Sequence, residues 1–354
     1  MHLRPYGLKA AFRTSHKLYS NPLSGSDGSV RQRRLGSSGG RIGQWSPSGA
    51  CSKGSGTMRS TLLRAVIAIS AMALSTISVG GGAQADPGCP SMYVVAIPGT
   101  WESDEHRPGP GMLAGVTDGL PSSVRVDYVS YAATAFPWEG DVYGASKKEA
   151  VDNARGMLGA MGRQCGATKL ALVGYSQGAD AAGDVAAEIG TGLGVVPPQR
   201  IVAVGLISDP RRSPTDALVG PPVGGAGAGG PRVGGFGWVT PQTRTICAVG
   251  DLYCATASDD FVTRFAGFLA QSSSPDLANM WRYQLEFGTI VNDLMARGGV
   301  ALLQNQLSDS ANEERRRKLE EFYRSEAHTL YGSYPVGGGE TALSWMHEWL
   351  ASLA

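Results

Sequence analysis

The chain has 354 residues, 42% of them apolar, with 31 Lys and Arg against 30 Asp and Glu, which is enough for one large or two small domains. The charge is unevenly placed: residues 1–85 hold 11 of the basic residues and only Asp27 of the acidic ones, leaving 20 basic against 29 acidic residues, or about −9, beyond them. A surface that acidic argues against nucleic acid or anionic headgroups as the main partner.

Residues 1–57 form a Ser/Gly/Arg tract without apolar periodicity, unable to bury enough surface to offset its ordering entropy, and read as a disordered or mis-assigned lead. From Met58, Arg59 and Arg64 flank the start of an apolar run, Leu62 to Val79, that closes on Ala83-Gln84-Ala85. This is the pattern of a signal peptide at 58–85, with a mature start at Asp86 and a single domain over 86–354. An uncleaved anchor through 62–79 is the alternative. Beyond the signal lie Cys89, Cys165, Cys247 and Cys254, an even set that permits three pairings in an oxidising compartment. The short spacing of Cys247 and Cys254 suggests a local staple.

Short apolar runs then alternate with helical patterns, which predicts an α/β fold: a central, mainly parallel five-stranded sheet between layers of helices. The strands are expected at Tyr93 to Ile97, Val124 to Tyr131, Leu170 to Val173, Ile201 to Ile207 and Thr243 to Val249. Helices are expected at Ala145 to Met161, Gln177 to Ile189 and Ala342 to Leu350. Two segments break the rhythm. Val219 to Gly237 is Gly/Pro-rich and reads as a long surface loop. Residues 258–327 show helical spacing without strand signals, as in Phe261, Phe265, Phe268, Leu269 and in Leu277, Met280, Trp281, Leu285. Ser310 and Glu313 form a capping-box pattern opening a helix with Glu313/Arg317 and Glu314/Lys318 pairs. This is a helical insertion.

Gly174-Tyr175-Ser176-Gln177-Gly178 fits the G-x-S-x-G pattern, in which a serine sits on a sharp strand-to-helix turn. Gly36-Ser37-Ser38-Gly39-Gly40 fits it too, but only Ser176 follows a strand signal and opens an Ala-rich helix. A serine nucleophile needs a base and an orienting acid. Three histidines follow residue 85: His106, in a Gly/Pro loop; His347, between Trp345 and Trp349 in the terminal helix; and His328, which completes the order Ser, Asp, His. Asp251, directly after the last strand within Cys247 to Cys254, is the candidate acid, and Asp209, after the preceding strand, is its competitor. No H-E-x-x-H or G-x-x-x-x-G-K is present, so neither a metal nor a nucleotide cofactor is expected.

The C-x-x-x-D-x-x-C box, the G-Y-S-Q-G elbow, Cys89-Pro90 and the H-x-x-Y ending together resemble the cutinase family of serine esterases, α/β-hydrolases. The resemblance implies Cys89–Cys165 and Cys247–Cys254 disulfides and a triad of Ser176, Asp251 and His328. It also implies an oxyanion hole from the Gln177 N–H and from Thr100. Compact cutinases keep acid and base close in sequence, whereas here the insertion separates them, and it resembles one found in phage enzymes that cleave mycolyl esters of arabinogalactan. The expectation is a secreted or envelope-associated serine esterase acting on lipid or glycolipid esters. Phe265, Met280, Trp281 and Leu285 would form a lid or cap over the acyl chain, or else pack the insertion onto the core. Two other readings are a mycolyl ester hydrolase or acyltransferase and a catalytically silent envelope-binding protein.

Overall fold

The computed structural model describes residues 88–277 and 280–354. The 1–57 lead, the 58–85 signal peptide and the apolar run 62–79 lie outside the described residues. Among the described residues no helix is long and apolar enough to cross a membrane.

Five strands, β1 (Met92–Ile97), β2 (Val124–Tyr128), β3 (Lys169–Tyr175), β4 (Ile201–Ile207) and β5 (Thr243–Ile246), pair in the order β2-β1-β3-β4-β5. Every pairing is parallel. The near-continuous apolar runs follow from burial on both faces. Tyr93, Val95 and Ile97 of β1 face a cluster with Ala150, Ala154 and Leu158 of α2 (Tyr143–Gln164) and Val185 and Ile189 of α3 (Gln177–Gly190). The alternate residues Met92, Val94 and Ala96 face Val116 of α1 (Ala114–Thr117) and the terminal helix. The period-two side-chain alternation of a strand thus divides one apolar run between two cores, giving three layers.

Strands β2 and β5 are shorter than the apolar runs suggest. Tyr131 and Ala248 stay buried, but the chain has already turned into the loops that carry the site. The segment expected as a surface loop is only partly one: Arg232 and Phe236 are buried, and Ala226 makes an antiparallel bridge to Thr256. Glycine supplies the turns while a single arginine anchors the loop inward.

Among the described residues between 261 and 325 the chain forms four α-helices, α4 (Phe261–Gln271), α5 (Met280–Ala296), α6 (Gly299–Gln306) and α7 (Asp309–Ser325). Their apolar stripes build a separate small core of Phe261, Ile290 and Leu294, packed by Phe265, Phe268, Leu302 and Leu303. The cap of α7 is Ser308, not Ser310: α6 ends at Gln306, and Ser308, extended at ψ 156°, accepts the Ala311 N–H. Of the two expected i,i+4 pairs, Glu314/Lys318 forms at 3.8 Å, while Glu313 takes Arg316 at 2.8 Å instead. A short hairpin, β6 (Pro335–Gly337) with β7 (Glu340–Thr341), leads into α8 (Ala342–Leu353), capped by Thr341.

Candidate active site

The turns that carry Thr100, Ser176, Ser208 and Asp251 leave the carboxyl ends of sheet strands, where open parallel sheets hold their ligands, and His328 follows α7. After β3 the chain reverses at Ser176, whose φ of 54° and ψ of −122° are sterically poor for a side-chain-bearing residue. The turn closes on backbone: Ser176 N–H donates to Ile207 O at 2.9 Å, and Ser176 O accepts the Asp180 N–H at 3.0 Å. Glycine flanks it because nothing else fits. A Cβ on Gly178 would come within 2.0 Å of Ile97 O, and one on Gly174 within 2.3 Å of Gly178 O.

The elbow presents Ser176 Oγ to His328 Nε2 at 2.9 Å, and His328 Nδ1 lies 3.0 Å from Asp251 Oδ2. Three residues distant in sequence therefore form one unbroken line. Tyr175, the second residue of the elbow, donates its hydroxyl to His328 O at 2.6 Å and stacks on the imidazole. His328 is thereby fixed by the turn that carries Ser176.

Asp251 is fully buried. Its Oδ2 accepts the hydroxyls of Ser208 at 2.5 Å and Tyr331 at 2.6 Å, and Oδ1 accepts the Tyr253 N–H at 3.0 Å. Burial works against the charged carboxylate, but the His328 hydrogen bond and charge, with the Ser208 and Tyr331 hydroxyls, bring Asp251 below its ordinary value. The Cys247–Cys254 disulfide closes the loop that carries it, and Cys89–Cys165 ties the chain before β1 to the end of α2. Tyr331 also accepts the Ala248 N–H at 3.0 Å, so the tyrosine of the H-x-x-Y ending holds the acid loop. Burial and the Asp251 charge keep its phenol well above the usual range.

Thr100 follows β1 and Gln177 follows the nucleophile, and the structure brings them together: Thr100 Oγ1 donates to Gln177 Oε1 at 3.2 Å. Gln177 Nε2 donates in turn to Thr134 O at 3.0 Å. Glu102 fastens the Thr100 loop by accepting the N–H groups of Gly99 at 2.8 Å and Met112 at 2.9 Å. Burial raises this carboxyl, and the two N–H groups offset part of the rise.

The insertion reaches the site through α7. Phe322 lies 6.4 Å from the His328 ring and 5.4 Å from Tyr253, which is itself 4.6 Å from His328. The Tyr253 and Tyr323 hydroxyls are 3.2 Å apart. The residues expected as a cap differ in their surroundings. Phe265 packs into the core of the insertion, and Met280, Trp281 and Leu285 are 39%, 51% and 51% exposed, with Arg282 stacked on Trp281. Helical periodicity marked an apolar face but not which partner it meets.

Asp209, the competing acid, belongs to a second buried cluster. Arg232 grips it with Nη1 at 2.6 Å and Nη2 at 3.1 Å and reaches Asp184 with Nε at 2.9 Å. Lys147 pairs with Asp184 at 2.9 Å and Asp180 at 3.5 Å, and Arg211 pairs with Glu286 of α5. Gln271 of α4 bonds both Lys147 and Asp180, so these charges fasten the insertion to α2 and α3. Burial raises the Asp209 carboxyl and Arg232 opposes the rise, whereas for Asp184 the nearby cations outweigh burial and lower it.

His347 has the structural role expected, its Nδ1 lying 3.0 Å from Val116 O. His106 is exposed on its loop. Among the described residues Glu105, Asp141 and Glu149 bring carboxylates within 4.8 Å of one another, but Glu149 already accepts the Ala132 N–H at 2.8 Å.

The chain is similar to "Carboxylesterase Culp6 homolog" of Corynebacterium glutamicum, 32% identical over 204 residues that cover 47% of this chain and 65% of that protein. It thus spans somewhat less than two thirds of that relative's length. Among solved structures, lysin B from Mycobacteriophage D29 aligns with 74% of this chain and 98% of its own at 18% identity and a TM-score of 0.42. The catalytic core of acetyl xylan esterase from Trichoderma reesei aligns with 51% and 92% at 22% identity and a TM-score of 0.40. The sequence profile of the family described as Cutinase matches residues 88–273, a span holding Cys89, Cys165, Cys247, Cys254, Ser176 and Asp251 but not His328. By that match over more than half of its length, the chain belongs to the cutinase family.

Proposed function

We propose that this protein is a carboxylic ester hydrolase working through Ser176, His328 and Asp251. The observation that carries the reading is the unbroken line from Ser176 Oγ through both His328 nitrogens to Asp251, at 2.9 and 3.0 Å, on a serine held in a strained turn. Ser176 Oγ attacks the ester carbonyl carbon as its proton passes to His328 Nε2. The developing oxyanion is met by the Gln177 N–H at the start of α3 and by a donor from Thr100. The imidazolium then protonates the departing alkoxide, leaving an acyl-enzyme. Water, deprotonated by His328, attacks that acyl group, releases the acid and returns the proton to Ser176.

The aromatic wall of Tyr253, Phe322 and Tyr323 supports an apolar acyl chain, as in a lipid or glycolipid ester. Two disulfides support action outside the cytosol or in the cell envelope.

A fluorophosphonate probe tests the chemistry and an ester panel the substrate. The folded chain should label covalently at Ser176, Ser176→Ala should not, and long acyl esters should be turned over at higher kcat/KM than short ones. Absence of labelling in folded wild type would sink the enzyme reading, and equal kcat/KM across the panel would sink the lipid assignment.

A further inference from the structure

Ser208 is the residue at the site for which neither the elbow nor the cysteine box accounts. It directly follows β4, its side chain is fully buried, and its φ is 54°, the left-handed region that a residue with a side chain seldom occupies. Such a conformation persists only where the surroundings enforce it and commonly marks a functional constraint. Its backbone N–H is spent on Ile246 O at 2.8 Å, which pins the left-handed turn to β5. The turn places Ser208 Oγ 2.5 Å from Asp251 Oδ2 and 3.0 Å from His328 Nδ1, within reach of both partners of the ion pair.

The hydrogen inventory fixes how these atoms share protons. Asp251 is held in its charged form, so its oxygens only accept, and the Ser208 hydroxyl must donate to it. The lone pairs of Ser208 Oγ are then left facing His328 Nδ1. That nitrogen is thus met by two acceptors, Asp251 Oδ2 at 3.0 Å and Ser208 Oγ at 3.0 Å. Both favour the proton on Nδ1, which leaves the Nε2 lone pair free to take the proton of Ser176. The other groups facing this pair do not share the task. Tyr331 bonds the carboxylate and lies beside Ser208 but makes no bond to the imidazole, Tyr253 meets the imidazole by its ring, and Tyr175 bonds the His328 carbonyl.

We infer that Ser208 is a positioning residue of this site, a second acceptor that holds the His328 tautomer and tethers Asp251 in register with it. The inference rests on the proposed esterase reading and deepens it: the acid side of the triad is a three-cornered unit of Asp251, Ser208 and His328.

The choice of variant separates positioning from packing. Ser208→Gly removes the hydroxyl and also relieves the unfavourable φ, so the folded chain should melt no lower than wild type. Its kcat on a short nitrophenyl ester should nevertheless fall roughly ten- to hundredfold, the loss expected of a hydrogen bond to a charged group. KM should stay within about twofold, because the residue does not reach the substrate. In an Asp251→Asn background the same change should cost about twofold or less, since groups acting as a unit lose their effect together. The low-field Nδ1–H proton resonance of His328 should be present in wild type and weakened or shifted in Ser208→Gly, a readout that needs no turnover. A kcat within twofold of wild type, an equal loss in both backgrounds, or an unchanged resonance overturns the inference. Lack of turnover by wild type with the resonance responding as stated would instead overturn the esterase reading and leave the positioning role standing.

Discussion

Ser208 and Asp209 are neighbours in sequence, both buried at the end of β4, yet they serve two polar clusters of opposite character. Ser208 faces a cluster with one fixed negative charge, Asp251, spread over several donors and opening onto Ser176. Asp209 faces a cluster of three cations and four carboxylates, which pair with one another and fasten a helical insertion to the main fold. The first leaves a histidine nitrogen open toward Ser176. In the second the charged groups pair within the cluster, and its value lies in which elements it joins. Burial alone therefore says little about whether a charged group is functional; what distinguishes the two sites is whether a reactive atom keeps a lone pair free to take a proton.

The largest effect that tests this contrast is at the open cluster. Ser176→Ala should lower ester kcat by roughly 10⁴- to 10⁶-fold without lowering the melting temperature, as removal of a nucleophile does elsewhere. At the closed cluster the signs reverse. Arg232→Met should leave Asp209 without its cation and Asp184 with Lys147 alone, and cost about 3–5 kcal/mol in urea unfolding, with kcat per folded molecule largely kept. A variant of that kind with wild-type stability would erase the contrast.

A smaller effect comes from pH. The folded Asp251 carboxyl lies below its ordinary value, so its contribution to stability is present above the unfolded carboxyl pKa of about 4 and is lost as pH falls through the folded value. Unfolding free energy measured from pH 5 downward should accordingly decline less steeply in Asp251→Asn than in wild type. At the insertion, Phe322→Ala should reduce activity on long acyl esters several-fold more than on short ones. Leu285→Ala, on a half-exposed side chain, should change stability by about 0.5 kcal/mol or less and leave the chain-length ratio unmoved.

Much of the architecture was legible because it rests on local pattern. Apolar runs of strand length, glycines around Ser176 and the order Ser, Asp, His each carry their physics in sequence. Ser208 carries none: one serine after a strand looks like any turn residue, and its positive φ exists only once β5 and the acid loop pack against it. Arg232 was hidden for a similar reason, since a Gly/Pro-rich segment signals turns and gives no sign that one side chain will be drawn inside. Helical spacing identified the apolar stripes of the insertion but not their partners. Phe265 therefore went to an internal core, while Phe322, on a helix dominated by charged residues, reached His328.

The Cys247–Cys254 bridge closes a short span around Asp251. Asp251 therefore sits within a covalently closed loop, whereas Ser176 is pinned by backbone hydrogen bonds and His328 by the hydroxyl and ring of Tyr175. The three corners of the site are held by three different kinds of tie, so loosening one does not by itself release the other two.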